Sequence, residues 1–182
     1  MKQLQLKNKV VLITGASSGI GKSLSRCFAK EGSILLLGCH PRERETLELW
    51  AQKLSAQFGS MVSTSPVDLA CDDGPESLYA MVKRDHLKLD ILVNNAGIIS
   101  YGEFHQIPIA RHESLVMLNA LAYLKLMRLA LADMVAQGSG RVLNVVSVSA
   151  FQPVAFQAVY GATEAFIQSL SGRSFRSSRA QG

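Results

Sequence analysis

The chain has 182 residues, 48% of them hydrophobic, and a formal net charge of +5, which suits one globular domain with a sizeable core. Arg173, Arg176 and Arg179 crowd the last ten residues, and no basic stripe with interleaved aromatics precedes them, so the charge argues for a solvated tail and against a nucleic-acid partner. Three widely spaced cysteines, Cys27, Cys39 and Cys71, exclude a disulfide framework and zinc-ligand spacing and read as buried, reduced thiols of a cytoplasmic protein.

The N-terminus, Met1 to Lys7, lacks the apolar core of a signal peptide. Val10 to Thr14 then reads as a buried strand, and it feeds Thr14-Gly15-Ala16-Ser17-Ser18-Gly19-Ile20-Gly21. A helix follows to about Glu31, with Ile20, Leu24, Cys27 and Phe28 on one face. Strand, glycine turn and helix form the context that gives such a motif meaning. Gly15 permits the tight turn, Gly19 lets a pyrophosphate approach the backbone, and Gly21 lets helix and strand pack closely. Free N–H groups at the helix start would face the phosphates.

Ile34 to Leu37 is a second apolar strand. Arg44 to Phe58 reads as a helix with Leu47, Trp50 and Leu54 inward, and Met61 to Ser65 as a third strand before Pro66-Val67-Asp68-Leu69. Pro75 opens a helix to Asp85 with Leu78, Met81 and Val82 inward, since proline is tolerated in a first turn. Leu89 to Val93 is strand four and ends at Asn94-Asn95-Ala96-Gly97. A long helix covers roughly Arg111 to Ala136; its polar interruptions at Asn119, Lys125, Arg128 and Asp133 indicate a buried amphipathic helix and not a membrane span. Val142 to Val146 is strand five, leading to Ser147, and a last helix starts near Val159 and fades by Ser171. His86, His105 and His112 have no evident partners and read as surface or packing residues.

Alternating strands and helices, with strands that lack polar alternation, predict an α/β protein: a Rossmann-type doubly wound parallel sheet in three αβα layers. Residues 1–171 form the nucleotide-binding domain and 172–182 a basic, disordered tail. Ligands of such sheets sit beyond the carboxyl ends of the strands. The Gly15 turn, Asp68, Asn94 to Gly97 and Ser147 all follow strand ends.

These stretches together, with Ser147 thirteen residues before Tyr160, resemble the classical short-chain dehydrogenases/reductases over residues 6 to 171. Within that family the chain is most similar to bacterial members of unassigned substrate. The resemblance implies hydride transfer between a nicotinamide and a carbonyl or alcohol. It implies Tyr160 as the residue that exchanges the substrate's proton, Ser147 as a hydrogen-bond partner of the substrate oxygen, and Asn119 as the holder of a local water relay. It implies adenine contact at Asp68 with backbone groups of Leu69 or Val67. Cofactor contacts at Gly15, Ser17, Ser18, Gly19, Ile20, Gly21, Asn95, Ala96 and Gly97 complete the expected site.

Two features depart from the family. The family pattern has a lysine four residues after the tyrosine, where this chain has Glu164. Positions i and i+4 share a helix face, so a carboxylate replaces the cation that favours phenolate. Two unit charges about 5 Å apart interact by roughly 3 kcal/mol at an effective dielectric near 20. Activity is therefore expected to be severely reduced. Family members also continue into a further strand, a lid region and a last strand, so the sheet here is expected to lack its last strands. Strand five would then have an unpaired edge, and apolar helix faces would lie open unless a homo-oligomer or another chain covers them.

Strand two ends at Gly38-Cys39-His40-Pro41-Arg42 with no acid for a ribose 2′-hydroxyl. His40, Arg42 and Arg44 favour a 2′-phosphate, hence NADP over NAD. The expected function is an NADP-preferring oxidoreductase of small carbonyl or alcohol substrates with weakened chemistry. The alternatives are an inactive dinucleotide- or partner-binding protein and a non-functional gene fragment. No metal and no membrane is expected to take part.

Overall fold

The computed structural model describes residues 5–84 and 87–179, with side chains described as far as Gly172. Five strands, β1 (Val10–Ile13), β2 (Ile34–Cys39), β3 (Val62–Pro66), β4 (Ile91–Asn94) and β5 (Arg141–Asn144), form one sheet in the order β3-β2-β1-β4-β5. Every pairing is parallel, with Ile13 opposite Leu37 and Val93, and Val93 opposite Leu143. The order reverses between β1 and β4, and that switch point opens a crevice at the strands' carboxyl ends. The fold is the Rossmann-type three-layer α/β arrangement expected from the sequence.

Side-chain alternation along the strands builds two cores. Val11, Ile13, Leu35, Leu37, Ile91 and Val93 face α1 (Gly19–Lys30) and α2 (Arg44–Phe58). Val10, Leu12, Leu36 and Leu92 face α3 (Gly74–Arg84) and α5 (Ala122–Ala136). The inward face of α1 differs from the sequence reading. Gly21, Ser25 and Ala29 are buried, Leu24 and Phe28 flank them, and Ile20 and Cys27 are exposed. Small residues face the sheet because the helix lies close to it. Trp50 is likewise half-buried while Ala51 takes the inward position; its Nε1–H donates to Ser25 Oγ at 2.9 Å.

The long helix is α4 (Ile109–Val116), a π-helical turn at Met117–Leu121, and α5. Ile109–Ala136 is long and apolar enough by composition to cross a membrane. In this fold its Leu115, Ala122, Leu126, Ala130 and Met134 are buried. The last helix, α6 (Ala158–Arg179), passes well beyond Ser171. The disordered tail expected from residue 172 is thus helical backbone through Arg179, and residues 180–182 lie outside the described residues. A sequence of Arg and Ser residues without apolar periodicity still permits helix when the preceding turns are already formed. The cysteines also depart from expectation: Cys39 is buried, whereas Cys27 and Cys71 are exposed, and all three are free thiols. His112 is buried and stacks on Phe104 with ring centroids 5.0 Å apart, and His105 lies 3.7 Å from Glu103. His86 lies outside the described residues.

Candidate active site

The glycine turn is locked to the end of β4. Thr14 Oγ1 accepts hydrogen bonds from Asn95 N–H and Ala96 N–H, both at 2.9 Å. Asn95 Nδ2 in turn donates to the carbonyls of Thr14 at 3.0 Å and Gly15 at 3.2 Å. Gly15 has φ +63°, and a Cβ there would lie 2.9 Å from Ala96 Cα. A Cβ on Gly21 would collide with the Gly15 carbonyl. Both glycines are therefore demanded by local geometry. Ser18 is the N-cap of α1 without a side-chain hydrogen bond, and Ser18, Gly19 and Ile20 line the crevice, so the start of the helix stands there without a side-chain cap.

That crevice has a volume of about 910 Å³, within the range of ligand pockets, roughly 300–1,000 Å³. Its walls include Gly15, Ser17, Ser18, Gly19 and Ile20 on one side and Asn95, Ala96 and Gly97 on the other. Cys39, His40, Arg42, Glu43, Asp68 and Leu69 close one end. These sequence-named residues are brought together, Gly21 supporting the turn from behind. Two partnerships were not visible in the sequence. His40 Nε2 lies 3.5 Å from Asp68 Oδ2, so two residues expected to meet different parts of a ligand face each other. Ser17 Oγ donates to Glu43 Oε2 at 2.9 Å, which puts a carboxylate at the glycine turn. Its distance in sequence was the available signal: Glu43 lies 22 residues after Gly21, near the spacing at which an acid meets a ribose. Arg111, Ser114 and Leu118 also line the crevice and were not singled out.

A second group of residues stands at the end of β5. Ser147 is the N-cap of a short 3₁₀ turn, Val148–Ala150, and its hydroxyl accepts from Ser149 N–H at 3.2 Å. The N-terminal half of α6 packs on this turn, with a Cβ on Gly161 reaching within 3.4 Å of the Ser149 carbonyl. Glu164 Oε2 accepts from Ser147 N–H at 2.6 Å. This bond ties the helix that carries Tyr160 to the loop that carries Ser147. The Tyr160 hydroxyl has no hydrogen-bond partner among the described residues, while its carbonyl accepts from Thr163 Oγ1 at 2.8 Å.

Burial pushes the Glu164 carboxyl above its ordinary value, and the Ser147 N–H partly offsets this. Tyr123, from α5, shares the neighbourhood. Its phenol is pushed well above the ordinary tyrosine value by burial and then by Glu164 and Tyr160. Asn119 is buried in the π-helical turn. Its Oδ1 accepts from Ile98 N–H at 3.0 Å and its Nδ2 donates to the Ile98 carbonyl at 2.8 Å. The side chain clamps the loop after β4, so a relay at Asn119 would have to use its main chain.

The family model for short chain dehydrogenases matches residues 9–179. This chain belongs to the short-chain dehydrogenase family. It is 34% identical over 160 residues to the ketoacyl reductase HetN of Nostoc sp., an alignment spanning 88% of this chain and 55% of that protein. Among solved structures, a metagenomic short-chain oxidoreductase in complex with NADP is similar with a TM-score of 0.91 and 28% identity, over 97% of this chain and 79% of that one. L-sorbose reductase from Gluconobacter frateurii, complexed with NADPH and L-sorbose, is similar with a TM-score of 0.86 and 29% identity, over 95% and 67% of the two chains. The chain thus spans little more than half the length of the HetN relative.

Proposed function

We infer that this chain is an oxidoreductase of small carbonyl or alcohol substrates that binds a nicotinamide dinucleotide in the glycine-turn crevice. The observation that carries this reading is the Glu164–Ser147 bond of 2.6 Å, because it holds the Tyr160 face of α6 against the serine loop. The residues fit a dinucleotide: α1 opens its N–H groups to the crevice, and Gly15 and Gly21 leave room for the backbone to close behind it. A bound dinucleotide would supply the hydride donor or acceptor. Ser17, Ser18, Gly19 and Ile20 would hold its diphosphate, with Asn95, Ala96 and Gly97 along the opposite wall. Tyr160 would exchange the substrate proton, and Ser147 would donate its hydroxyl hydrogen to the substrate oxygen.

Preference for NADP over NAD rests on Arg42. The other two basic candidates are engaged, His40 beside Asp68 and Arg44 at 3.7 Å from Glu48. The solved relatives holding NADP or NADPH support the same choice.

Glu164 weakens the chemistry. It puts a carboxylate where the family pattern has a cation, and each 1.36 kcal/mol added to a barrier is about tenfold in rate. A second reading draws on the same bond: a carboxylate committed to a backbone amide gives a chain that binds the dinucleotide without turnover. Oxidation of NADPH and NADH by the purified chain over a panel of ketones and aldehydes distinguishes them. Glu164→Lys is expected to raise kcat/KM by about 100-fold, the equivalent of some 2.7 kcal/mol. Turnover in the parent that matches a relative carrying the lysine would overturn the weakening. No turnover in either form, with cofactor bound, would favour the second reading.

A further inference from the structure

The loop that leaves β5 carries Ser147 and then runs on to α6. Between that loop and the first turns of α6 lies a cavity of about 570 Å³, within the size range of small-molecule pockets. Phe151, Pro153, Val154 and Phe156 wall it from the loop, and Gly161 and Ala165 wall it from the helix. None of the residues that line it is charged, and it shares none with the dinucleotide crevice. Ser147 and Tyr160 do not line it either. Phe151 and Phe156 are 69% and 49% exposed, so two aromatic rings of this wall are left partly uncovered.

Two features mark this cavity as a ligand site. Ser149, which lines it, is buried, and its Oγ has no hydrogen-bond partner among the described residues. A buried hydroxyl left unpaired is costly, so such a group calls for a water or a ligand. Rotation about one side-chain bond is enough to re-aim it. Phe156 has φ +64°, a left-handed conformation that bulky side chains rarely adopt. Gly102 N–H donates to the Phe156 carbonyl at 2.9 Å, and the Tyr101 ring lies 5.3 Å from the Phe156 ring. Backbone strain of this kind persists where the surroundings over-determine it, and it gathers at binding sites.

We propose that this cavity is a binding site, separate from the dinucleotide crevice, for a small neutral aromatic molecule whose one hydroxyl or carbonyl oxygen pairs with the Ser149 hydroxyl. Apolar walls and two phenyl rings favour an aryl group through burial and offset ring contacts. A charged group would enter without a counter-ion and lose its hydration. The serine hydroxyl can donate to a carbonyl or alcohol oxygen and accept from an alcohol. Its own N–H donates to the Ser147 hydroxyl at 3.2 Å, so a molecule held by Ser149 braces the residue that orients Ser147. Occupancy of this site does not require a bound dinucleotide.

NMR titration of the whole chain with labelled phenylalanine, in the absence of cofactor, tests this with benzyl alcohol, acetophenone, toluene and benzoate. Benzyl alcohol and acetophenone are expected to bind with contacts to the Phe151 and Phe156 rings, toluene more weakly, and benzoate not at all. Ser149→Ala is expected to weaken the two oxygen-bearing neutral probes about tenfold, equivalent to 1.4 kcal/mol, and to leave toluene unchanged. It is also expected to melt no earlier than the parent, because it removes an unpaired hydroxyl. Ala165→Leu narrows the cavity from the helix side; it is expected to exclude every probe and serves if the Ser149 variant does not fold. Equal affinities for benzyl alcohol in the parent and a folded Ser149→Ala form overturn the role of Ser149. No binding to the folded parent, or unchanged binding in a folded Ala165→Leu form, overturns the site. Displacement of benzyl alcohol by NADPH also overturns it, by placing the probe in the crevice. A parent that binds benzyl alcohol but neither NADPH nor NADH sinks the dinucleotide reading and leaves this site standing.

Discussion

Glu164 shows how one residue can be legible in type and illegible in consequence. Its position, one helical turn after Tyr160, reveals a reversed charge from sequence alone. Its partner does not, because the Ser147 amide is seventeen residues away and meets it only once α6 has docked on the 3₁₀ turn. Glu43 is a parallel case, since only the coil of Pro41–Glu43 returns it to Ser17. No cation faces Glu164 among the groups that act on it: burial raises its pKa, and the Ser147 N–H offsets part of the rise. The sign of the pH effect follows. Between the ordinary carboxylate range and the raised folded value, the folded chain binds more protons than the unfolded one, so stability falls as pH rises through that window. Its unfavourable contribution is absent below the unfolded pKa and complete above the folded one. Glu164→Gln keeps the acceptor for Ser147 and removes the titration. Urea unfolding across about pH 4 to 8, the range bracketing carboxylate titration, should show a declining limb in the parent that is shallower in the Gln form. Parallel profiles would mean that Glu164 titrates normally in the folded chain.

At the scale of elements, periodicity located the strands and helices but misjudged what lies between them. α2 occupies the residues read from sequence, Arg44–Phe58. In α1 the most apolar stripe includes Ile20, yet Ile20 is 59% exposed at the crevice and Ala29 is buried. A helix pressed close to a sheet selects small side chains on the contact face, and size carries no signal in a hydrophobic pattern. The π-helical turn around Asn119 was equally hidden, because one wider turn barely disturbs the apolar repeat. Gly21 is where the close approach is tightest. An added Cβ would meet the Gly15 carbonyl and the Asn95 amide, and backbone cannot swing aside as a side-chain tip can. Gly21→Ala is therefore expected to destabilise the chain by about 1–3 kcal/mol and to loosen dinucleotide binding, read by urea midpoint and cofactor titration. An unaltered midpoint would show that α1 can back away from the turn at no cost.

The whole molecule is finished on one side of the sheet and open on the other. Both faces of β1, β2 and β4 are covered, with Leu12, Leu36 and Leu92 in one core and Ile13, Leu37 and Val93 in the other. Among the described residues β5 pairs only with β4 and forms the end of the strand order. Val142 packs against the α3–α5 core. Leu143, in register with the buried Val93, faces the α1–α2 side and is 43% exposed, because those helices lie over β1 and β2 and do not extend across β5. The βα succession allowed the sequence to place an exposed edge here, but it could not say which side chain would bear the exposure; that depends on which way β5 faces in its register with β4. An apolar side chain on an open sheet edge favours association between chains. Leu143→Lys is thus expected to lower self-association, measured by sedimentation over a range of concentrations, while changing stability by no more than about 0.5 kcal/mol, as for an ordinary surface position. Leu92→Ala, in the same sheet but fully buried, is expected to cost about 2–5 kcal/mol. Should Leu143→Lys instead destabilise the chain as much as Leu92→Ala, the α1–α2 face of β5 is covered in solution, and the surface exposed in a single copy is an interior of the assembly.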